Sequence, residues 1–441
     1  MPKWCALLMV MLSCFSCGYA RLLRLPHQSR VVPIPEMQYI QEPTAYWYRA
    51  GVARAFITPR SDVWLAGFHP KRSAIGVHDN LEVRVLVLVD LQGNGIAFVT
   101  ADIIGFMRND VERVRKKVAL RNMEIFVMSS HTHSGPDTIG IWGAPPFISG
   151  RDEQYMSEVI DIMSKTVFEA ISNMRSVKIF AGSVNVSNLS KNIREPEILD
   201  TELSILSLID VRTGASYALL VNFGCHPEVL KRGNLLITAD MVGVLRSRLD
   251  DALGTTTLFV NGSLGGMVQP NIKWRDSEAF ETNEAFGSLL ATHVYDAIKK
   301  TTELRAENLI YCRKLLKIPL KNKRFILAAL FGLMPHRGVF ASGGYIETEV
   351  GVVRIGSVKI IMVPGEIVPE LGIQIKKIGG AGTQIWSLAN DEIGYILVKE
   401  KFHTRMFKYE RAMSVGSDTG PIVMDAAKKL LETRCCSGGA Q

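Results

Sequence analysis

The sequence is poor in cysteine, and this scarcity excludes several kinds of protein. Seven of the 441 residues are cysteine, and three of them fall in the first twenty residues. The others are Cys225, Cys312 and the adjacent pair Cys435-Cys436. Their scatter predicts neither a disulfide framework nor a Cys-x-x-Cys metal clip.

The sequence also lacks long hydrophobic runs. It has two apolar stretches, and each is shorter than the roughly 20 residues that a helix needs to span a bilayer. Lys3 precedes the first run, Trp4 to Phe15, and small residues follow it. This layout is typical of a secretory signal peptide. We therefore predict a signal peptide at residues 1–20 and export to the periplasm, the extracellular space or a membrane surface. An uncleaved anchor or a lipoprotein-type attachment stays open.

The second apolar run, Phe325 to Met334, has basic neighbours that include Lys321, Lys323, Arg324 and Arg337. The run predicts either a buried helix or a lipid-facing lip at a membrane surface. Peripheral membrane contact is therefore one of two interpretations of this segment.

Basic stripes with interleaved aromatic residues are absent from the sequence, although the net charge is +8. We therefore expect no nucleic-acid partner, and instead a small-molecule or lipid substrate. An apolar content of 47% and a charged content of 21% indicate a globular protein with a sizeable core.

Domain organisation follows from the distribution of predicted elements. Residues 21–47 are rich in Pro and Arg and indicate a linker. Strand and helix patterns are interspersed from 48 to 432 without a dividing linker, which predicts one α/β domain. Residues 433–441 form a small-residue tail.

His131 and His133 follow directly after Ile125-Phe126-Val127, a run typical of a buried strand. Gly135-Pro136 then prevents a regular element from continuing. Two imidazoles at a strand end would project into one cleft, where they could bind a metal or transfer protons. Two ligands do not make a metal site, so a plain hydrogen-bonded histidine pair is the alternative.

Other predicted strands end in polar groups as well. His226 follows one of them, Glu366 follows another in Pro364-Gly365-Glu366, and Tyr395 follows a third. Strand ends are where α/β proteins build sites. Two imidazoles, a carboxylate and an open position suit Zn²⁺, which activates water and polarises a carbonyl.

Seven blocks of the sequence, in order, resemble the catalytic domain of the neutral, non-lysosomal ceramidase family. They are Gly51 to Pro59, Gly76 to Asp79, Ser130 to Pro136, Asn192 to Arg194 with Asp200 to Leu203, Asn222 to Pro227, Pro364 to Glu366, and Asn390 to Tyr395. The most specific block is Ser130 to Pro136. The resemblance implies a layered α/β sandwich with two central mixed sheets and flanking helices.

The resemblance also implies roles for individual residues. The implied zinc ligands are His131, His226, Glu366 and Tyr395. His133 would handle a proton or support a ligand, and Arg194 and Tyr409 would contact the substrate or its oxyanion. Apart from the resemblance, Asp102 and Asp240 each begin a turn between a predicted strand and a predicted helix, and from that position they would either orient an imidazole or cap a helix.

One loop departs from the family pattern. Ceramidases have Gly-Asp-Val-Ser-Pro-Asn with a catalytically important serine, whereas this chain has Gln269 at the serine position and Met267 at the aspartate position. Glutamine is neither a nucleophile nor a base, but its amide can donate a hydrogen bond. A serine-nucleophile route is therefore closed, and a route by zinc-activated water remains, with Gln269 as a candidate oxyanion donor.

We therefore expect an exported, zinc-dependent hydrolase of the neutral ceramidase-like class that cleaves an amide (N-acyl) bond, with a sphingolipid as one candidate substrate. One alternative is a zinc hydrolase acting on a non-ceramide ester or N-acyl substrate. The other is a catalytically inactive, metal-binding surface protein, which Gln269 would explain. We expect no counterpart of the immunoglobulin-like C-terminal module of full-length ceramidases.

Overall fold

The computed structural model describes residues 46–60, 62–144, 148–273, 276–330 and 344–433. The predicted signal peptide and residues 21–45 of the predicted linker lie outside these ranges. So do residues 331–334 of the second apolar run and residues 434–441 of the tail.

Strands and helices alternate along the described residues. The strands are β1 Tyr48–Phe56, β2 Gly76–Val77, β3 Glu82–Val89, β4 Gly95–Ala101, β5 Met123–Ser129, β6 Arg175–Asn185, β7 Ser190–Asn192, β8 Glu202–Asp210, β9 Ser216–Phe223, β10 Leu236–Ile237, β11 Thr256–Asn261, β12 Val268–Pro270, β13 Thr302–Leu304, β14 Ile310–Pro319, β15 Tyr345–Ile355, β16 Val358–Met362, β17 Glu366–Ile367, β18 Thr383–Trp386 and β19 Tyr395–Ile396. The helices are α1 Arg108–Val118, α2 Glu153–Ser172, α3 Met241–Leu253, α4 Ala279–Ile298, α5 Lys323–Leu330, α6 Pro369–Gly379, α7 Lys408–Ala412 and α8 Thr419–Glu432.

The larger sheet is mixed, with the strand order β11-β9-β8-β6-β1-β3-β4-β5, and β13 pairs with β6. β11 at one edge of this sheet contacts β4 and β5 at the other edge. Asn261, the last residue of β11, donates its side-chain amide to Ser130 O at 2.6 Å, just beyond the end of β5. The sheet therefore curls, and the polar ends of β5, β9 and β11 come together.

The second sheet has the order β14-β15-β16-β18 and is also mixed, because β16 and β18 are parallel. Its inner face packs on the larger sheet: Phe98 and Phe126 share a core with Ile360 and Trp386. The Phe98 and Trp386 ring centroids are 5.0 Å apart. Interlocking aromatic and branched side chains of this kind hold two sheets face to face.

Helices cover the outer faces of both sheets. Helices α1 and α2 pack on the β1–β3–β4–β5 half of the larger sheet, and α3 and α4 pack on β8, β9 and β11. Helices α6 and α8 pack on the second sheet. The predicted class, a layered α/β sandwich with two central mixed sheets and flanking helices, is confirmed.

Local predictions agree with most elements and differ in instructive places. The apolar runs on either side of the Gln92-Gly93-Asn94-Gly95 turn predict a hairpin, and β3 and β4 pair antiparallel there. Asn109 and Asp110 are residue types that favour a helix cap, but the cap residue of α1 is Met107, which makes no side-chain hydrogen bond there. The N–H of Arg108 is instead bound by Asp391 Oδ1 at 2.9 Å. A partner from the far end of the chain therefore replaces the local cap.

Cys225 is a buried free thiol, and Cys312 is disulfide-bonded. None of the helices in the described ranges has the length and hydropathy of a membrane-spanning segment.

Candidate active site

His131 lies in the loop directly after β5, with a left-handed backbone conformation (φ 69°). Its backbone N–H donates to Ile103 O at 3.0 Å, and its Nδ1 donates to Ile104 O at 2.6 Å. A neutral imidazole has only one N–H, so this donation leaves a lone pair on Nε2. That nitrogen lies 3.7 Å from Glu366 Oε1.

His226 is held in the same manner after β9. Its backbone N–H and its Nδ1 both meet Val268 O, at 3.0 Å and 2.7 Å. Its Nε2 lies 2.9 Å from Glu366 Oε2. Backbone carbonyls thus fix two imidazoles with Nε2 directed at one carboxylate.

Glu366 and Tyr395 are neighbours because β17 and β19 pair in parallel with these two residues in register. The Tyr395 hydroxyl contacts Met267 Sδ at 3.7 Å. Burial, together with the negative charge of Glu366, raises the pKa of Tyr395 well above its ordinary value. Tyr395 is therefore a neutral phenol next to the carboxylate.

Three buried histidines converge at this point. One ring nitrogen each of His131, His133 and His226 lies within 4.8 Å of the other two. The ring centroids are separated by 5.1, 5.3 and 5.6 Å. The residues of this histidine cluster could hold a metal ion.

Two effects shift the pKa values of the histidines in opposite directions: burial lowers them, and the charge of Glu366 raises those of His131 and His226. Burial lowers the pKa of His131 to about 4, although the charge of Glu366 acts against it. Burial also lowers the pKa of His133 well below its ordinary value, and the neighbouring His131 and His226 add to this effect. Burial favours a lower pKa for His226 too, but its hydrogen bond to Glu366 and the charge of that group raise the pKa overall.

A metal ion fits this donor set. With Nδ1 committed to a carbonyl, His226 Nε2 and an ionised Glu366 Oε2 are both acceptors, so a proton between the two atoms or a cation is needed to hold them 2.9 Å apart. Burial raises the pKa of Glu366, but the charge of His131 and the hydrogen bond of His226 lower it overall. An ionised carboxylate beside imidazole lone pairs is a nitrogen-and-oxygen set that suits zinc.

A cavity of about 380 Å³ adjoins the cluster. Predicted site residues in its wall are His131, His133, Glu366, Tyr395 and Tyr409. Most of the remaining wall is apolar: Phe68, Ile104, Met107, Ile139, Ile141, Trp142, Phe325, Ile346, Ile393 and Met413. The cavity can therefore hold an apolar substrate group next to a polar cluster that could bind a metal ion.

The two predicted substrate residues are placed differently. Tyr409 lines the cavity, and its ring centroid is 6.0 Å from that of Tyr395. Burial and the charges of Glu366 and Glu410 raise the pKa of Tyr409 to about 12. Arg194 is not among the lining residues; its Nε donates to Glu410 Oε1 at 2.6 Å.

Gln269 does not line the cavity either. Met267, two residues before it, lines the cavity instead. The left-handed turn at Met267 (φ 60°) directs its side chain to Tyr395. Gln269 pairs in β12 opposite Lys191 of β7, and its Oε1 accepts from Lys231 Nζ at 3.3 Å. Gln269 thus contacts Lys231 and does not line the cavity, and its role as an oxyanion donor stays a prediction.

Neither aspartate that the sequence offered as an imidazole partner has that role. Both oxygens of Asp102 accept from Arg246, at 2.9 and 2.6 Å. Asp240 caps α3 at Met241 N and also accepts from the N–H groups of Val229 and Leu230. The capping alternative is correct for Asp240, and Asp102 belongs to an ion pair.

Two buried acids in the cavity wall, Glu228 and Glu392, were not predicted from the sequence. Glu228 Oε2 lies 3.6 Å from His133 Nδ1. Glu392 Oε1 accepts from Gly394 N–H at 2.9 Å, while its Oε2 has no hydrogen-bond partner among the described residues. Burial and the charge of Glu366 raise the pKa of Glu392 well above its ordinary value. Glu228 is close in sequence to His226, and Glu392 is close to Tyr395. This closeness could have identified both acids as site residues.

Comparison with known proteins gives a consistent likeness. No protein-family profile matches the chain. It is 24% identical to neutral ceramidase 2 of Arabidopsis thaliana over 260 residues, which is 53% of this chain and 33% of that protein. It is also 24% identical to neutral ceramidase of Drosophila pseudoobscura pseudoobscura over 268 residues, 51% of this chain and 36% of that protein. The chain thus spans about a third of the length of the curated relatives it matches.

Solved structures agree in fold. Neutral ceramidase from Pseudomonas aeruginosa matches with a TM-score of 0.73 at 18% identity, covering 90% of this chain and 76% of that chain. A ceramidase complexed with C2 matches with a TM-score of 0.73 at 17% identity, covering 90% and 77%. The chain therefore contains a neutral ceramidase-like domain.

Proposed function

We propose that this chain is a zinc-dependent hydrolase that cleaves an amide (N-acyl) bond of a lipid, with a sphingolipid such as ceramide as the first candidate. The supporting observation is the histidine cluster with Glu366 in the wall of a largely apolar cavity of about 380 Å³. The names of the relatives in sequence and fold, all ceramidases, support the same substrate class.

Zinc would be held by His131, His226 and Glu366, with Tyr395 next to the carboxylate. When bound, it would activate water as a nucleophile and polarise the scissile carbonyl. The chain supplies the surroundings: carbonyl oxygens fix His131 and His226 through Nδ1, and such outer partners orient metal-binding imidazoles.

Other residues would bind substrate and move protons. Tyr409 is neutral below its pKa of about 12, so its hydroxyl can donate a hydrogen bond to a carbonyl oxygen that gains negative charge. His133 is neutral because burial lowers its pKa, so it can accept a proton. Arg194 anchors α7 through Glu410, which places Tyr409 in the wall. Direct contact between Arg194 and substrate stays a prediction.

Turnover by stripped and zinc-loaded protein on a substrate panel tests this proposal. The panel should contain a short-chain ceramide, an N-acyl amino acid and an aryl ester. We expect zinc-dependent cleavage of an amide and its loss in Glu366→Gln. Zinc-dependent cleavage of the ester alone would favour the non-ceramide hydrolase. Bound zinc without turnover on any member would favour the inactive metal-binding protein.

We further propose peripheral contact with an anionic membrane through α5. Phe325 of this helix lines the cavity, while Leu327 and Leu330 are 54% and 63% exposed. Lys323 and Arg324 are exposed on the same short helix. Apolar side chains beside cations suit a bilayer containing anionic lipid.

Cosedimentation with vesicles tests this contact. Binding to phosphatidylglycerol–phosphatidylcholine vesicles should exceed binding to phosphatidylcholine alone and should fall in Leu327→Ser/Leu330→Ser. Leu289→Ser, at a 47% exposed leucine of α4, is the matched control. Equal sedimentation of the parent and the double variant would contradict the proposal.

Export is proposed from the apolar leader at residues 4–15 and the lysine before it. Mass spectrometry of the natural protein should find an N-terminus near or after residue 14. An intact Met1 in a membrane fraction would indicate an anchor instead.

A further inference from the structure

Arg232 lies at the mouth of the cavity. It is one of the lining residues and its side chain is exposed to solvent. Within the described part of the chain its guanidinium forms no hydrogen bond and no ion pair. The three acids of the same wall, Glu228, Glu366 and Glu392, therefore do not pair with it. A full positive charge at the mouth is left available to a ligand.

The loop that contains Arg232 is held on both sides of this residue. Lys231, directly before it, has a left-handed backbone conformation (φ 55°), and its Nζ lies 3.2 Å from Glu228 Oε1. Two residues after Arg232, Asn234 donates its side-chain amide at 3.0 Å to the hydroxyl of Ser134, which directly follows the histidine cluster in sequence. The guanidinium of Arg232 therefore extends from a backbone that is fixed relative to the cluster.

Arg72 is a second cation without an acidic partner, and it contacts the same loop. It is 2% exposed, and its guanidinium donates to the backbone oxygens of Ala66, His133 and Asn234 at 2.8, 3.0 and 2.7 Å. Its Nε is buried without a hydrogen-bond partner among the described residues. Burial lowers the pKa of Arg72 to about 10, so it stays charged near neutral pH. Carbonyl oxygens stabilise this charge but do not cancel it, and the loop therefore keeps an excess of positive charge.

An unpaired guanidinium at the mouth of an apolar cavity suits a substrate with an apolar chain and an anionic group. The planar fork of arginine binds carboxylate and phosphate through two parallel hydrogen bonds. We propose that Arg232 binds an anionic group on the amine part of the substrate, while the acyl chain occupies the apolar wall. This inference rests on the proposed amide hydrolase and narrows its substrates to N-acyl lipids with a carboxylate or a phosphate near the amide. Uncharged ceramide would then be cleaved more slowly than its phosphate ester.

Matched pairs of substrates test the inference on the zinc-loaded full chain. The members of a pair share the acyl chain and differ in charge: N-lauroylglycine with N-lauroylethanolamine, and the phosphate monoester of a short-chain ceramide with that ceramide. We expect kcat/KM to be higher for the anionic member of at least one pair by about tenfold or more. The pair that shows the preference identifies the bound group as carboxylate or phosphate.

Variants at position 232 test whether this arginine causes the preference. Arg232→Gln should lower kcat/KM for the anionic member by about 10–100-fold relative to its neutral partner, with most of the change in KM because the lost contact is a binding contact. Arg232→Lys should recover part of the preference, because it keeps the charge but not the planar fork. An undiminished preference in Arg232→Gln would overturn the assignment.

Arg212→Gln is the matched control for removing one exposed positive charge. Arg212 lies in the turn between β8 and β9, is exposed and does not line the cavity. It should keep the parental preference, and an equal loss there would overturn the inference in favour of an effect of net charge. A parent that cleaves both members of each pair equally well would also overturn the inference, and would leave the proposed function standing. A parent that cleaves no amide would overturn both.

Discussion

Two buried clusters of charged side chains differ in the kind of cation they contain. The first, here called the arginine network, joins Asp102 to Arg246 and continues through Glu82, Arg84 and Asp250. The second is the histidine cluster with Glu366. Arginine stays charged at all ordinary pH values, so the first cluster has fixed ion pairs. Imidazole gains and loses its charge near neutral pH, so the second cluster can exchange a proton for a metal.

The two clusters also differ in how completely their buried polar groups are hydrogen-bonded. Both Asp102 oxygens accept from Arg246, and Oδ2 also accepts from Glu82 N–H at 2.8 Å. At the cavity beside the histidine cluster, by contrast, His133 Nδ1 and Glu392 Oε2 are buried without a hydrogen-bond partner in the described ranges. Arg246 Nε of the arginine network is also buried without a partner there, but His133 and Glu392 line the cavity, where a ligand can reach the incomplete groups.

The largest effect is expected from breaking the histidine cluster. His226→Ala removes the imidazole that meets Glu366 at 2.9 Å, so most bound zinc should be lost from a parent that holds about one ion per chain. Elemental analysis of the dialysed protein measures this. His293→Ala, on the surface of α4, should keep its zinc, and full occupancy in His226→Ala would remove that residue from the ligand set.

Breaking the arginine network should instead affect stability. Asp102→Asn leaves the buried Arg246 charge without its ionised partner, and loss of one member of a buried pair costs about 3–5 kcal/mol. Denaturant unfolding measures the change, and zinc per folded chain should stay at the parental value. Asp425→Asn, in an exposed pair with Lys429, should show no measurable change. Zinc loss in folded Asp102→Asn would mean that the two clusters are coupled.

Acid should weaken the metal-free histidine cluster specifically. The pKa of His131 is about 4 in the fold and ordinarily about 6.5. The folded pKa is depressed, so this contribution to stability is present above pH 6.5 and is lost as pH falls towards 4. A shift of this size corresponds to roughly 3 kcal/mol. The raised pKa of His226 acts in the opposite sense, and its contribution is lost as pH rises through its folded value.

Denaturant unfolding between pH 7 and 4.5, with a chelator present, measures the acid effect. His131→Gln lacks the titrating ring and should give a flatter profile over that range. A parent profile as flat as that of the variant would show that His131 is not held neutral by burial.

The smallest effect is expected at Gln269. Its contact is with Lys231 at 3.3 Å and it does not line the cavity, so Gln269→Ala should change turnover by less than about tenfold. Loss of a direct oxyanion donor would instead cost about 10²–10³. Turnover on the substrate identified by the panel decides between the two, with Tyr409→Phe as the comparison at the cavity wall.

Sequence reasoning succeeded where information is local. The β3–β4 hairpin follows from hydrophobic period and turn residues, and the capping role that the sequence offered for Asp240 is found at the start of α3. The placement of polar residues after β5 and β9 was also local, and the structure brings His131 and His226 together with Glu366.

Contacts between residues far apart in the sequence could not be predicted from local patterns. The curl that brings β11 to β5 depends on twist summed over many strands. The contact of Glu228 with His133 depends on a left-handed Lys231 and on Asp240, neither of which has a periodic signal. At Gln269 the family pattern pointed to the cavity, but one left-handed residue, Met267, changed which side chain faces it.

Gly67 has a consequence for redesign of the cavity. It has φ 98°, and a Cβ atom at this position would stand 2.2 Å from His133 Cγ. A library that varies the apolar wall to alter chain-length preference can therefore include Ile139 and Ile141, which lie away from the imidazoles in sequence. Position 67 has to stay fixed in such a library, because a single added methyl group would displace the His133 ring and confound chain-length selectivity with disruption of the histidine cluster.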